Sequence, residues 1–70
     1  MNMRQRMAAR QHGRQIVRDV RRENPGATLD EIKEIANATA ADMGLDPEIL
    51  AAIIDAIAAF VNQLMELLSE

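Results

Sequence analysis

Arginine is the residue type whose number and spacing in this chain best suit it to chemistry. Five arginines recur every four positions and two more lie beside them, and the full set is Arg4, Arg6, Arg10, Arg14, Arg18, Arg21 and Arg22. On an α-helix, a four-residue step advances about 40°, so the guanidinium groups spread over one broad face. The guanidinium group matches carboxylates and phosphates in shape and charge. The pattern predicts a binding face for a polyanion or for an acidic protein surface.

The charge of the chain is divided unevenly between its two ends. Residues 1–24 hold the seven arginines against two carboxylates, a balance of +5, whereas residues 25–70 hold Lys33 against nine carboxylates, a balance of −8. This asymmetry indicates either an arm for a polyanion or a molecule that docks on copies of itself. In one alternative, the arginines form a solvated face in which Arg14 pairs loosely with Asp19, and Arg18 with Glu23. In another, the acidic body acts as a nucleic-acid mimic or inhibits a basic partner.

Residues that perform catalysis or bind metals are few. There is no cysteine, His12 is the only histidine, and Thr28, Thr39 and Ser69 are the only hydroxyl side chains. The carboxylates at positions 30–34 do not have the ligand spacing of a calcium loop. We therefore expect a non-enzymatic protein with no cofactor and no metal site. Phe60 is the only aromatic residue, which argues against recognition of nucleic acid by base stacking.

Residues 36–53 fit the outline of a helix-turn-helix unit, with Gly44 at the turn. A DNA-binding unit of this kind uses the start of its second helix to contact base edges and phosphates. Here that start is Asp46, Pro47 and Glu48, whose carboxylates would repel phosphates. The pattern therefore favours an ordinary corner between two helices. A helix-turn-helix-like DNA-binding regulator stays as an alternative.

Clear start and stop signals divide the chain into helices. Asn24, Pro25 and Gly26 end the first helix, because proline disfavours helical backbone in the residue before it. A Thr28–Glu31 capping box starts the second, and Gly44 ends it. Asp46 as N-cap and Pro47 at the first helical position start the third. The sequence predicts an all-α, small three-helix domain with helices at about residues 5–23, 29–43 and 47–68.

The apolar stripes of the first two helices predict how the domain packs. Apolar or small residues recur at helical spacing at Ala9, Gly13, Ile16, Val17 and Val20 in the first helix, and at Leu29, Ile32, Ala36, Ala40 and Met43 in the second. Met3 and Met7 point towards the arginine side instead. We therefore expect residues 1–12 to form a cationic, mobile N-terminal segment and residues 13–70 to form a single helical domain.

The third helix carries more apolar surface than two small neighbours can cover. Four of its seven heptad positions are largely apolar, whereas a simple coiled-coil seam needs two. A chain of 70 residues has a small core of its own, and oligomerisation is a usual remedy. The sequence predicts self-association through Leu50, Ile53, Ile54, Ile57, Phe60, Val61, Leu64, Leu67 and Leu68. A membrane span is disfavoured because Glu48, Asp55 and Glu66 lie within the stretch.

These features predict a helical assembly or adaptor protein that forms a homo-oligomer. The arginine helix would face nucleic acid or an acidic protein, which would suit a virion or another nucleoprotein particle. No signal peptide is visible at the N-terminus, so the cytoplasm or the inside of a particle is the expected location. A designed helical scaffold is a further alternative, which fits the strong caps but not the irregular first twelve residues.

Overall fold

The computed structural model describes residues 2–69 and contains three α-helices. They are α1 (Met3–Glu23), α2 (Leu29–Ala41) and α3 (Pro47–Leu68). No β-strand occurs in this part of the chain. The predicted all-α, three-helix domain is confirmed.

The predicted caps start the second and third helices. Thr28 Oγ1 accepts from the Glu31 backbone N–H at 3.1 Å, and the Glu31 carboxylate accepts from the Thr28 backbone N–H at 3.0 Å. Hydrogen bonding of the Glu31 carboxylate to the Thr28 backbone N–H, and to a smaller extent to the Thr28 side chain, lowers the pKa of the Glu31 carboxyl. Asp46 Oδ1 accepts from the Glu48 backbone N–H at 3.0 Å, with Pro47 at the first position of α3.

The start of α1 has a cap that the sequence reading did not identify. Asn2 Oδ1 accepts from the Gln5 backbone N–H at 2.8 Å, and the Gln5 side chain accepts from the Asn2 backbone N–H at 3.1 Å. This reciprocal pair is a capping box, and the Asn-x-x-Gln spacing was visible in the sequence. α1 is therefore continuous from Met3, and residues 3–12 form its first half. The expected mobility of this segment stays a prediction.

The end of α2 differs from the predicted boundary by two residues. The Asp42 backbone N–H still donates to the Ala38 carbonyl oxygen, but the Met43 N–H donates to Ala40, three residues back. This tightening of the last turn is common at helix ends. Gly44 then adopts the left-handed conformation with φ of +69°, as predicted for a glycine that ends a helix.

The core lies where all three helices meet. The predicted stripe of α1 is confirmed, since Ala9, Gly13, Ile16, Val17 and Val20 are all buried. α2 contributes Ile32, Ala36 and Ala40. Met43 was predicted to join them but is exposed, because α2 ends before it and the chain turns out of the helical stripe. α3 contributes Ile53, Ile57 and Val61, which lie one helical turn apart.

α1 and α3 pack closely and run in the same direction. A Cβ atom added at Gly13 would lie 2.9 Å from the Ala56 Cβ, and the next residue, Arg14, lies against Phe60, one turn further along α3. Arg21 and Arg22 share a groove with Leu68 at the C-terminal end of α3. α2 joins the two and returns antiparallel to them. One edge of the arginine face of α1 therefore runs along α3.

Candidate binding surfaces

The seven arginines predicted to bind a partner are all exposed on α1. Arg22 forms an ion pair with Asp19, whose Oδ1 also accepts from Gln15 Nε2 at 2.9 Å. The other six have no carboxylate oxygen within 4 Å in the described part of the chain. Neither of the two loose pairings considered from the sequence, Arg14 with Asp19 and Arg18 with Glu23, is found within 4 Å. Residues three apart are neighbours on a helix surface, whereas residues five apart are not.

The arginines in the first half of α1 lie along one edge of α3. Arg6 and Arg10 line an open groove of about 480 Å³ whose other residues are Glu48, Ala51, Ala52, Asp55, Ala56 and Ala59. The groove therefore combines two cations, two carboxylates and a floor of small side chains. Arg14 lies over the ring of Phe60, with its Cζ 5.7 Å from the ring centroid, a cation–π contact. α3 thus borders part of the arginine face.

The residues predicted for self-association fall into three groups on α3. Ile53, Ile57 and Val61 are 1 % exposed or less, because they pack against the other two helices of the same chain. Half-buried positions follow at the rim of this core: Leu50, Ile54, Phe60 and Leu64. Leu67 and Leu68 are 69 % and 68 % exposed. The surface available to a second copy is therefore the rim and the C-terminal end of α3, not its central row.

Two exposed apolar patches lie outside α3 and were not predicted as binding surfaces. Met3 and Met7 are 77 % and 56 % exposed, and they line a shallow groove with Arg4, Ala8 and Gln11. On α2 and the turn after it, Ile35 and Met43 are 38 % and 41 % exposed. The first patch is flanked by arginine and the second by carboxylates. In the sequence, such a patch is indicated by an apolar residue that helical spacing places on the charged side of a helix.

The side chains suited to catalysis are either engaged in local hydrogen bonds, as the hydroxyl groups are, or exposed to solvent, as the histidine is. The Thr28 hydroxyl caps α2, the Thr39 hydroxyl donates to the Ile35 carbonyl oxygen at 2.8 Å, and the Ser69 hydroxyl donates to the Glu66 carbonyl oxygen at 3.0 Å. His12 is exposed on α1. Within residues 2–69, no three His, Cys, Asp or Glu side chains are grouped to hold a metal ion.

α3 is the one described helix whose length and composition would allow it to cross a membrane. A core helix of a soluble protein has the same properties. Ile53, Ile57 and Val61 of α3 are buried against the other helices, whereas most of its apolar stretch is not buried. The absence of a span stays a prediction.

Comparison with protein families, with curated proteins and with solved structures gives no match.

Proposed function

We propose that this chain is a non-enzymatic assembly or adaptor protein. It self-associates through α3 and presents the arginine face of α1 to a polyanionic or acidic partner, as a structural component of a virion or another nucleoprotein particle. The observation that carries the proposal is the set of seven exposed arginines on one helix, six of them without a carboxylate oxygen within 4 Å in residues 2–69. Cations without a carboxylate oxygen in direct contact retain their capacity for an external anion.

The net charge of the whole chain strengthens the argument. At −3, the protein as a whole would be repelled by a polyanion, so binding requires the local cationic face of α1. The exposed Leu67 and Leu68, together with the half-buried rim of α3, supply apolar surface for contact between copies. Leu67 and Leu68 lie outside the core of one chain, whereas Leu50, Phe60 and Leu64 of the rim pack against it with part of their surface and leave the rest exposed.

Replacing Arg4, Arg18 and Arg21 with glutamine tests the role of the arginine face. Glutamine keeps the helix propensity of arginine, and all three side chains are exposed, so the melting temperature should change little. Retention on immobilised heparin and on duplex DNA should fall. The slope of log affinity against log salt should decrease by about 0.9 for each phosphate contact that is lost. Substitution is preferable to truncation, because Ala9 in the first half of α1 belongs to the core.

A matched control instead neutralises two carboxylates on α2, Asp30 and Glu34, and one at its C-cap, Asp42, all of them exposed. This variant changes the net charge by the same amount with the opposite sign and leaves α1 intact. It should be retained at least as strongly as the original chain. Equal retention of the original chain and the glutamine variant on both matrices would remove the polyanion from the proposal.

A further inference from the structure

The outer side of α1 carries a stripe with a charge at each end and apolar surface between. Arg4 and Arg14 are ten residues apart, which is about 15 Å on a helix. Met7 lies between them, and Met3 precedes Arg4 at the N-terminal end of the stripe. All four side chains are exposed, and Arg14 lies at the edge of the stripe next to α3, where its guanidinium also contacts the Phe60 ring. No carboxylate occurs before Asp19. We name these four residues the basic stripe.

The outer side of α2 carries a stripe of the same form with the opposite charge. Glu31 and Asp42 are eleven residues apart, which is about 16.5 Å on a helix. Ile35 and Ala38 lie between them at four- and three-residue steps, Asp42 is the C-cap of α2, and Met43 lies in the turn after the helix. All five side chains are exposed. We name these five residues the acidic stripe.

We propose that the basic stripe of one copy packs on the acidic stripe of a second copy, with the two helices antiparallel. Arg4 then faces Asp42 of the second copy, and Arg14 faces its Glu31. Met7 covers the apolar middle of the acidic stripe, and Met3 meets Met43. The antiparallel direction also places the positive end of the α1 dipole beside the negative end of α2. The inference rests on the proposed function, since it names the acidic partner of the arginine helix.

A second copy of the chain matches both stripes better than a nucleic acid does. A phosphate backbone would neutralise Arg4 and Arg14 but would leave Met3 and Met7 in water. The acidic stripe covers charge and apolar surface together, and its own exposed Ile35 and Met43 are covered in return. Each stripe is only about three helical turns long. The surface area that it can bury is therefore smaller than the roughly 800 Å² that each partner buries in a standard interface. The contact is therefore weak alone and sensitive to salt.

Reversing one charge on each stripe tests the contact in the full-length chain. The variants are Arg4→Glu, Asp42→Arg and the double variant that carries both. A glutamate in the first turn of α1 and an arginine at the C-terminal end of α2 both suit the helix dipoles, so all three should fold. Circular dichroism checks the folding, and sedimentation velocity measures association at about 0.1 M salt and at about 1 M salt.

Each single variant should weaken self-association about tenfold at low salt, because a like charge replaces an attractive pair. The double variant should recover association to within about threefold of the original chain, since the reversed pair is again attractive.

A double variant that self-associates as weakly as the single variants would overturn the inference. Unchanged self-association in both single variants would also overturn the inference. Loss of self-association in a separate Leu67→Glu variant would, in that case, still support self-association through α3. Loss of duplex-DNA retention in Arg4→Glu with self-association intact would assign the basic stripe to nucleic acid and contradict the inference.

Discussion

Replacing Ile57 with aspartate is expected to unfold the chain. The Ile57 side chain is fully buried at the centre of the core, so the substitution removes apolar burial worth about 1.5–3 kcal/mol. It also buries a carboxylate among Ile53, Val61 and Val17, where an unpaired charge costs several kcal/mol more. A chain of 70 residues has a total stability of roughly 3.5–10 kcal/mol. The combined loss is comparable to that total.

Far-UV circular dichroism with thermal and urea unfolding checks this result. The matched control is Ala59→Asp, which adds the same carboxylate to the same helix at an exposed position beside Arg10 and Arg14. The control should keep its helical spectrum and melt within a few degrees of the original chain. A helical, cooperatively melting Ile57→Asp variant would show that Ile57 is not in the core of the folded chain.

Gly13→Ala is expected to destabilise the fold even though alanine is the better helix former. The added Cβ would lie 2.9 Å from the Ala56 Cβ, 3.2 Å from the Ile53 carbonyl oxygen and 3.3 Å from the Ile57 nitrogen. Two of these atoms belong to the backbone of α3, which cannot move without shifting the helix. Overpacking of this kind costs about 1–3 kcal/mol, against a gain of about 1 kcal/mol from helix propensity. We expect α1 and α3 to be forced apart and the melting temperature to fall.

Gly26→Ala supplies the comparison for the Gly13 substitution. A Cβ at Gly26 would meet no atom within 4 Å, and the backbone of Gly26 is not in the left-handed region. This variant should be neutral, or stabilising by about 0.4–1 kcal/mol, because alanine reduces the conformational entropy of the unfolded chain. Urea unfolding of both variants measures the difference directly. A Gly13→Ala variant as stable as Gly26→Ala would mean that α1 and α3 are not in close contact at Gly13.

Local signals in the sequence predicted most of the fold. The Thr28 capping box, the Asp46 cap and the left-handed Gly44 each depend on residues within four positions, and each is found. The five small and apolar residues of α1 were correctly placed in the core because helical spacing alone puts them on one side. The end of α2 was predicted two residues late, since Ala41, Asp42 and Met43 are all compatible with a helix.

The faces of α3 could not be assigned in the same way. Its apolar residues occupy four heptad positions, and the sequence does not say which of them meet α1 and α2. That choice depends on packing between helices, in which Gly13 sets the close approach to Ala56 and Ile53. Helical spacing did place Met3 and Met7 on the arginine side of α1, away from the core stripe. It did not show how much of each side chain is exposed, which depends on how the three helices pack.

Sedimentation velocity of the unmodified chain across the micromolar range, at low and at high salt, tests the central claim most directly. We predict that the weight-average mass rises above that of a single chain as concentration increases. The rise should be smaller at about 1 M salt, where the Debye length is only about 3 Å and contacts between charged stripes are screened. A single species with the mass of one chain at every concentration and both salt levels, with no binding of a hydrophobic dye, would contradict the account.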